Sequence, residues 1–268
     1  MQNRIFLTMF TIMLLSGCSG QHSFMTSADV NDPQVIGGDK IDFENPIANS
    51  TVALMDEQDG ELCSGVMISN ELILTAAHCV YSGMTSLLVY FTPNIKDGDS
   101  YNSRYAVTCI QHENYKSDVD KMDTADIALV RVSGTLPYGY KPVPLYPDSD
   151  KLRAADDIIV AGYGVNRSWG KTAGAGILRT TTLKVREPRS GKTEMVLNQS
   201  FKKGVCNGDS GGPAFIKKGG QLYLVGIASR GGSYDFPGAP KCSVTSTYTR
   251  VDAYLGWIKK TSAQLMAE

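Results

Sequence analysis

The sequence predicts an all-β protein in which short strands form a barrel or a sandwich. Three observations lead to this fold class: short apolar runs rich in Val, Ile, Thr and Tyr, turn-forming Gly, Asn, Asp and Pro between them, and a spacing often near about ten residues. The chain has 268 residues and 42% hydrophobic content, which is enough for a large core. The runs expected to form strands are 51–55, 65–69, 72–76, 86–91, 105–111, 127–132, 158–163, 177–185, 221–228 and 244–251.

Two elements can be located more closely. The Gly219-Gly220 pair stands between the apolar runs 215–216 and 222–225, and two glycines in such a place predict a tight hairpin turn. Near the C-terminus the apolar residues follow the spacing of a helix instead of a strand, so one helix is predicted there. Its apolar stripe consists of Val251, Tyr254, Leu255, Trp257 and Ile258.

Charge and motif patterns argue against nucleic-acid, nucleotide and metal binding. The net charge is −1 and the chain has no block of five like charges, so nothing attracts a nucleic acid. The Gly162-Tyr163-Gly164 segment lacks the third glycine of a dinucleotide-binding loop. The Asp97-Gly98-Asp99 turn falls far short of a calcium-binding loop. We therefore expect no cofactor and no metal.

The N-terminal segment has the features of an export signal. Arg4 precedes a mostly apolar run, 5–15, which is shorter than the roughly 20 residues that span a bilayer. The segment ends in Leu15-Ser16-Gly17-Cys18, which resembles a bacterial lipobox, where the signal is cut before a lipidated cysteine. We interpret 1–17 as a signal peptide and Cys18 as the lipidation site. The alternative is an ordinary signal peptide whose cleavage region contains a cysteine.

A polar segment separates this signal from the folded domain. Residues 18–34 contain many turn formers and predict a lipidated tether or propeptide, and the folded domain is expected over 35–268. Ser19 resembles the residue found after the cysteine in lipoproteins that are sorted to an outer membrane. An exported chain, as a periplasmic or outer-membrane lipoprotein or in a released form, can hold disulfides. With Cys18 lipidated, five of the six cysteines remain, so one stays unpaired.

Three separated segments carry residues suited to nucleophilic catalysis. The stretch Thr75-Ala76-Ala77-His78-Cys79 places a histidine directly after an expected strand, and Asp126 opens another strand. Ser210 lies in the glycine-dense loop Gly208-Asp209-Ser210-Gly211-Gly212-Pro213. A serine hydroxyl is a weak nucleophile until a base takes its proton, and an imidazole has a pKa near about 6.5, close to working pH. A buried carboxylate fixes the tautomer of that imidazole and stabilises its charged form.

The order of these residues along the chain separates one family of serine hydrolases from the others. His78, Asp126 and Ser210 follow the chymotrypsin order, which differs from the orders in subtilisin and the α/β-hydrolases. Together with Val35-Ile36-Gly37-Gly38, these segments resemble the trypsin and chymotrypsin family of serine endopeptidases. The resemblance extends from Val35 to the C-terminal helix.

This resemblance implies a fold and a reaction. The fold would be two six-stranded antiparallel Greek-key β-barrels, roughly 35–150 and 151–250, followed by a C-terminal helix at 251–266. The reaction would be hydrolysis of peptide bonds in protein or peptide substrates through an acyl-enzyme, carried out by a monomer. The rival interpretation is a catalytically silent homologue that acts as a binding module. We favour the enzyme because the chain retains all three residues of the triad.

The family also implies roles for residues around the triad. The N–H groups of Gly208 and Ser210 would form the oxyanion hole, and Ser229 would donate a hydrogen bond to Asp126. The chain would be made as a zymogen. Cleavage before Val35 would free an amino group that pairs with Asp209.

The cut before Val35 follows Gln34, which is not the Arg or Lys that a tryptic activator needs. Another protease, or the enzyme itself, would therefore have to make it. By the same resemblance the disulfides are Cys63–Cys79 and Cys206–Cys242. Cys109 is then expected to be a buried free thiol.

The specificity pocket is assigned by the same resemblance. Its floor would be Gly204, where a trypsin-like enzyme has an aspartate, so basic residues should be poor substrates. We expect a neutral, medium-to-large side chain before the scissile bond: Leu, Met, Phe or Tyr first, with Gln also compatible. The residues expected to contact the substrate are Gly204, Val205, Ser229, Arg230, Gly231 and Ser246. Arg230 replaces an aromatic residue and is expected to point to solvent; the alternative is that it attracts an acidic side chain.

Overall fold

In the computed structural model of the chain, residues 35–118, 120–166, 173–200, 202–233 and 242–267 are described. The predicted signal peptide, the tether with Cys18, and Gln34 lie outside these residues. None of the described helices is long and apolar enough to cross a membrane.

The elements in the described part are β1 (Asp39–Lys40), β2 (Thr51–Asp56), β3 (Leu62–Met67), β4 (Leu72–Thr75), β5 (Leu87–Tyr90), β6 (Ser103–Gln111), β7 (Ala128–Val132), β8 (Asp157–Gly162), β9 (Arg179–Ser190), β10 (Glu194–Asn198), β11 (Pro213–Lys218), β12 (Gln221–Gly232), β13 (Thr245–Arg250) and α1 (Leu255–Ala267).

The first barrel closes through strands in the order β2-β3-β4-β7-β6-β5. All neighbouring strands pair antiparallel. Strands β4 and β5 follow each other in the chain but are not neighbours, which is the crossover expected in a Greek key. The interior is filled by buried apolar side chains, among them Val52, Leu54, Ile73, Val89 and Val130.

The second barrel closes in the order β8-β9-β10-β13-β12-β11, because β8 pairs with both β9 and β11. In β9, Thr181, Leu183 and Val185 are buried whereas Lys184 and Arg186 are exposed, the alternation of a strand with one face on a core. Strand β1 extends this sheet beside β9. The predicted fold, two six-stranded antiparallel barrels with a C-terminal helix, is confirmed.

A shared apolar cluster joins the two barrels. Leu74 and Leu129 enter it from the first barrel, Phe215 and Ile227 from the second, and Ile258 from α1. The four barrel side chains have no exposed surface. The ends of β4 and β7 therefore meet the ends of β11 and β12 at this seam, and side chains placed there can act together.

The predicted hairpin and helix are both present. Gly219 and Gly220 have φ values of 56° and 84°, the left-handed conformations of a type I′ turn, and they join β11 to β12. The predicted helix 251–266 divides into a short 3₁₀ turn, Asp252–Tyr254, and the α-helix α1. Ile258, Thr261 and Leu265 form its buried stripe.

Strand β10 was not predicted. It begins with Glu194, ends with Asn198 and contains one β-branched residue, Val196, so its composition is poor in strand formers. It forms nevertheless because β9 and β13 pair with it on its two sides. Tertiary context therefore decides this element.

Candidate active site

His78 lies at the seam, in the 3₁₀ turn Ala77–Cys79 that follows β4. Its Nδ1 is 2.8 Å from Oδ2 of Asp126, and its backbone N–H donates to Oδ1 of the same carboxylate at 3.0 Å. The Cys63–Cys79 disulfide ties this turn to β3. The side chain is 33% exposed, so one ring edge is accessible while the other faces Asp126.

The second barrel holds Asp126 in place. The carboxylate, which belongs to the first barrel, accepts a hydrogen bond from the Ser229 hydroxyl of β12 at 2.7 Å. The hydroxyl of Thr249 in β13 donates to the backbone carbonyl of Asp126 at 2.9 Å. Asp126 is 4% exposed, and the preceding Ala125 has a φ of 53°. The His78–Asp126 pair is therefore correctly oriented only when the two barrels are docked.

The two groups stabilise each other's charge. Burial would lower the pKa of His78, but the hydrogen bond and charge of Asp126, together with the charge of Glu61, raise the pKa above its ordinary value. Burial would raise the pKa of Asp126, but hydrogen bonds from His78 and Ser229 hold that pKa below its ordinary value. Asp126 therefore stays ionised across the range in which His78 gains and loses its proton.

Ser210 lies in a loop that is tied to the strands preceding His78. The backbone N–H of Ser64 in β3 donates to the Ser210 carbonyl at 2.8 Å, and the Ser64 hydroxyl donates to the Gly208 carbonyl at 2.8 Å. The Thr75 hydroxyl at the end of β4 donates to the Ser64 carbonyl at 2.8 Å. Gly211, with a φ of 77°, has no room for a side chain, because a Cβ there would collide with the Thr75 hydroxyl.

Two backbone N–H groups of this loop have no hydrogen-bond acceptor within the described residues. The Asn207 carbonyl accepts from the Val165 N–H at 2.9 Å, which turns the N–H of Gly208 the opposite way. Gly208 has a φ of 91°, a conformation that suits glycine. Within the described residues the N–H groups of Gly208 and Ser210 donate no hydrogen bond. No hydrogen bond joins the Ser210 hydroxyl to His78 there either; such contacts often tighten only when substrate binds.

Asp209, the residue before the serine, is 1% exposed. Its two carboxylate oxygens accept hydrogen bonds from the N–H groups of Gly164 and Cys206, each at 2.8 Å. Burial raises its pKa to about 7, although these two N–H groups and the charge of Arg179 lower it. Val35 is also fully buried, and the adjacent Ile36 carbonyl accepts from the Gly204 N–H at 2.8 Å.

This burial predicts how the stability of the uncleaved chain depends on pH. The pKa of Asp209 in the folded chain lies above that of the unfolded chain, so the protonated form favours folding. The contribution is complete below about pH 4 and is lost as pH rises to about 7, a loss of at most roughly 4 kcal/mol. Urea unfolding of the Ser210→Ala chain, which cannot cut itself, should show this loss.

The matched control for this measurement is the same chain with Asp209→Asn. The amide does not titrate, so its free energy of unfolding should lack this pH-dependent component, whatever constant cost the substitution carries. Equal pH dependence in the two chains would contradict the assignment of the buried proton to Asp209.

A cavity of about 170 Å³ adjoins Ser210. Four of the expected contact residues, Val205, Ser229, Arg230 and Gly231, line it. Gly204 and Ser246 were also expected there; neither belongs to this lining, and their contact with substrate stays a prediction. A Cβ on Gly204 would collide with the side chain of Gln199. In β13 it is Thr247, paired with Arg230 and adjacent to Ser246, that lines the cavity, because neighbouring side chains of a strand alternate between faces.

Gln199 was not identified from the sequence. Its amide nitrogen donates to the carbonyls of Val205 at 3.2 Å and Cys242 at 2.7 Å, and its oxygen accepts from the Val205 N–H at 3.0 Å. It therefore braces two residues that line the cavity. Three consecutive polar residues, 198–200, are typical of a surface loop, and no sequence motif indicated a role for Gln199.

The expectation that Arg230 points to solvent is wrong. Its guanidinium makes two hydrogen bonds to the Glu194 carboxylate, at 2.9 and 2.7 Å, and its side chain is 20% exposed. Glu194 itself is 2% exposed. A buried carboxylate is costly without a partner, so the two residues hold each other. Glu194 belongs to the unpredicted strand β10, which is why the sequence did not indicate this pair.

The cysteines are arranged as expected. Cys63–Cys79 and Cys206–Cys242 form disulfides, and Cys109 is free and buried. Burial raises the pKa of the Cys109 thiol to about 12, so it remains protonated and unreactive at ordinary pH.

A pair of six-stranded barrels with a His–Asp pair and a glycine-flanked serine at their seam defines a serine hydrolase of the chymotrypsin fold. The sequence profile described as "Trypsin" matches residues 38–258, and the chain therefore belongs to the trypsin family of serine endopeptidases. It is similar to Trypsin-1 of Astacus astacus, with 27% identity over 215 residues, covering 74% of this chain and 86% of that protein.

Two further relatives are of similar identity but differ in coverage. Granzyme B of Rattus norvegicus is 29% identical over 256 residues, covering 89% of this chain and 95% of its own. Phenoloxidase-activating enzyme 1 of Spodoptera litura is 30% identical over 235 residues, covering 75% of this chain but only 59% of its own. The chain thus spans most of two relatives and little more than half of the third.

Proposed function

We propose that the chain is the zymogen of a serine endopeptidase with His78, Asp126 and Ser210 as its catalytic triad. The observation that carries this proposal is the Asp126 carboxylate, which is buried and held between His78 and Ser229 next to the Ser210 loop. A carboxylate in that position directs the free ring nitrogen of His78, Nε2, toward a proton donor on the accessible side.

The proposed reaction proceeds through an acyl-enzyme. Nε2 of His78 takes the proton of the Ser210 hydroxyl as its oxygen attacks the carbonyl carbon of the scissile bond. The N–H groups of Gly208 and Ser210 stabilise the oxyanion, and each such donor contributes about 3–4 kcal/mol of barrier reduction. The imidazolium, stabilised by Asp126, then protonates the departing amine. Water attacks the acyl-enzyme by the same route in reverse.

A fluorophosphonate distinguishes this enzyme from a catalytically silent homologue that only binds a partner. The cleaved chain should be labelled covalently on Ser210, and mass spectrometry of the digest should locate the adduct there. A silent homologue would keep the fold and remain unlabelled.

The proposal extends to the substrate residue before the scissile bond, which would occupy the cavity beside Ser210. Asp209 is a carboxylate among the lining residues, but its oxygens are engaged by the N–H groups of Gly164 and Cys206. A cationic side chain would therefore be buried without a counter-charge. A tetrapeptide library that varies this residue should give the highest kcat/KM for Leu, Met, Phe or Tyr, about 10²-fold or more above Arg and Lys. A maximum at Arg or Lys would overturn the pocket assignment.

The N-terminal assignments are also proposals. A signal peptide at 1–17 would direct export to the periplasm or the outer membrane, and a lipid on Cys18 would anchor the precursor. The lipid rests on the Leu15–Cys18 pattern alone, because the three relatives come from animals and lend no support to a bacterial anchor. The expected partners are protein or peptide substrates and a protease that cuts before Val35; the peptidase domain itself, 35–268, would act as a monomer.

A further inference from the structure

A second cavity, of about 220 Å³, lies beside His78. Tyr115, Thr124, Ser229 and Arg230 contribute to its lining. Ser229 and Arg230 also line the cavity beside Ser210, so this stretch of β12 borders both cavities. Successive side chains of an extended peptide point to opposite sides. If the residue before the scissile bond fills the first cavity, as the proposed function requires, the residue preceding it turns toward the second.

Arg230 lines this second cavity, and its guanidinium has unused donors. A guanidinium has five N–H groups, and two of those on Arg230 are directed to Glu194. Within the described residues, its remaining three N–H groups have no acceptor, and the side chain is 20% exposed. The lining also contains Lys116, an exposed residue with a positive charge, and Asp126, whose carboxylate is held by His78 and Ser229.

Glu194 holds the guanidinium still. The two-point contact fixes both the plane and the direction of the Arg230 fork, which a single contact would not do. The Glu194 carboxylate also lies 3.5 Å from the N–H and the hydroxyl of Thr124, two residues before Asp126. The donors are therefore preorganised, and they border the cavity that contains His78.

We propose that Arg230, held by Glu194, selects a side chain with a carboxylate or carboxamide group at the second residue before the scissile bond. An oxygen acceptor there can accept from open N–H groups of the guanidinium, whereas an apolar side chain removes water from them and gives nothing back. Sites built to hydrogen-bond a group reject analogues that lack it more strongly than apolar sites reject small differences in size. Arg230 and Glu194 are thus specificity-determining residues, with Glu194 acting through Arg230.

The test uses the cleaved enzyme and tetrapeptide substrates that differ only at the second residue before the bond. Gln and Met are compared there, because they match in length but only Gln offers an oxygen acceptor, the thioether sulfur of Met being a weak one. The residue before the bond is held at the one that the library identifies as best. We expect kcat/KM for Gln to exceed that for Met by about tenfold or more. In the double variant Glu194→Gln/Arg230→Met this ratio should fall to near one.

The double variant leaves no buried charge behind, and an ion pair elsewhere supplies its control. Glu71 and Arg131, whose side chains are 3.4 Å apart on the first barrel, are replaced in the same way, Glu71→Gln/Arg131→Met. The control should keep the ratio of the parent enzyme. A parent ratio near one, or a ratio that survives in Glu194→Gln/Arg230→Met, would overturn the proposal.

A single substitution gives an independent measurement. Glu194→Gln removes one negative charge and leaves the positive charge of Arg230 uncompensated, so the preference for Glu over Gln at the second residue should rise about tenfold. An unchanged Glu-to-Gln ratio would also overturn the proposal. The labelling experiment separates the two proposals: an enzyme that takes the fluorophosphonate but shows no selection refutes only the role of Arg230, whereas an unlabelled chain refutes the proposed function as well.

Discussion

Replacing Ser210 by Ala should lower peptide turnover by at least about 10³-fold and abolish labelling by a fluorophosphonate. The variant lacks the nucleophile, and members of a catalytic triad act as a unit, so the remaining residues cannot compensate. The residual rate would come from the open N–H groups of the loop and from substrate binding. The measurement is kcat/KM on a tetrapeptide substrate after cleavage before Val35.

Two details make this comparison decisive. Ser82→Ala, at an exposed position, is the matched control and should retain the parent kcat/KM. The Ser210→Ala chain should also retain the circular-dichroism spectrum of the folded parent. The Ser210 hydroxyl that it lacks makes no hydrogen bond within the described residues of the parent. Unchanged turnover in Ser210→Ala would refute the assignment of the nucleophile and, with it, the proposed function.

Cleavage between Gln34 and Val35 should raise kcat/KM by about 10²-fold or more. The freed ammonium of Val35 would supply the buried Asp209 carboxylate with a counter-charge, and breaking a buried pair of this kind costs about 3–5 kcal/mol. Asp209→Asn should remove most of the gain, whereas Asp157→Asn, an exposed control on β8, should not. The measurement compares uncleaved and cleaved chains of each variant, with the new N-terminus verified by sequencing.

The pH dependence of the cleaved enzyme provides a separate check. An unfolded α-amino group has a pKa of about 7.7–8.0, and pairing with Asp209 would raise the pKa of Val35 above this range. The stabilisation is therefore complete below about pH 7.7 and is lost as pH rises through the folded value. Activity should fall at strongly alkaline pH and be restored on returning to neutral pH. Full activity of the uncleaved chain would contradict the activation proposal.

The same cut tests the proposed lipid anchor. If Cys18 carries the lipid, cleavage before Val35 separates the anchor from the enzyme, because no other cysteine lies in residues 19–34. The precursor should then sediment with membranes while the activity appears in the supernatant. Cleaved enzyme that still requires detergent would count against this arrangement, as would a disulfide from Cys18 to Cys109.

The sequence predicted the features that depend on local pattern. A few neighbouring residues are enough to identify the strand runs and the Gly219-Gly220 turn. The same holds for the segments around His78, Asp126 and Ser210. The structure brings His78 and Asp126 into direct contact, and the catalytic roles of the three residues stay predictions until the variants are measured.

What the sequence could not show depends on contacts between distant segments. Glu194 and Arg230 are 36 positions apart, and a charged residue taken alone is expected to be exposed. Gln199 braces Cys242 from 43 positions away. Polar residues of this kind are buried only because their partners arrive from other strands, and no periodicity marks such pairs.

The register of β12 shifts between Ala228 and Arg230, which makes Ser229 a bulge in the strand. The bulge lets Ser229 face Asp126 while Arg230, directly after it, faces Glu194. Deletion of one residue directly before Arg230 would move this residue to the place of Ser229 and set a guanidinium against the carboxylate that orients His78. Substitution at 230 leaves Ser229 where it is. Under selection, changes at 230 that are matched by changes at 194 should be commoner than changes of length, so that new substrate preferences can arise without loss of the reaction.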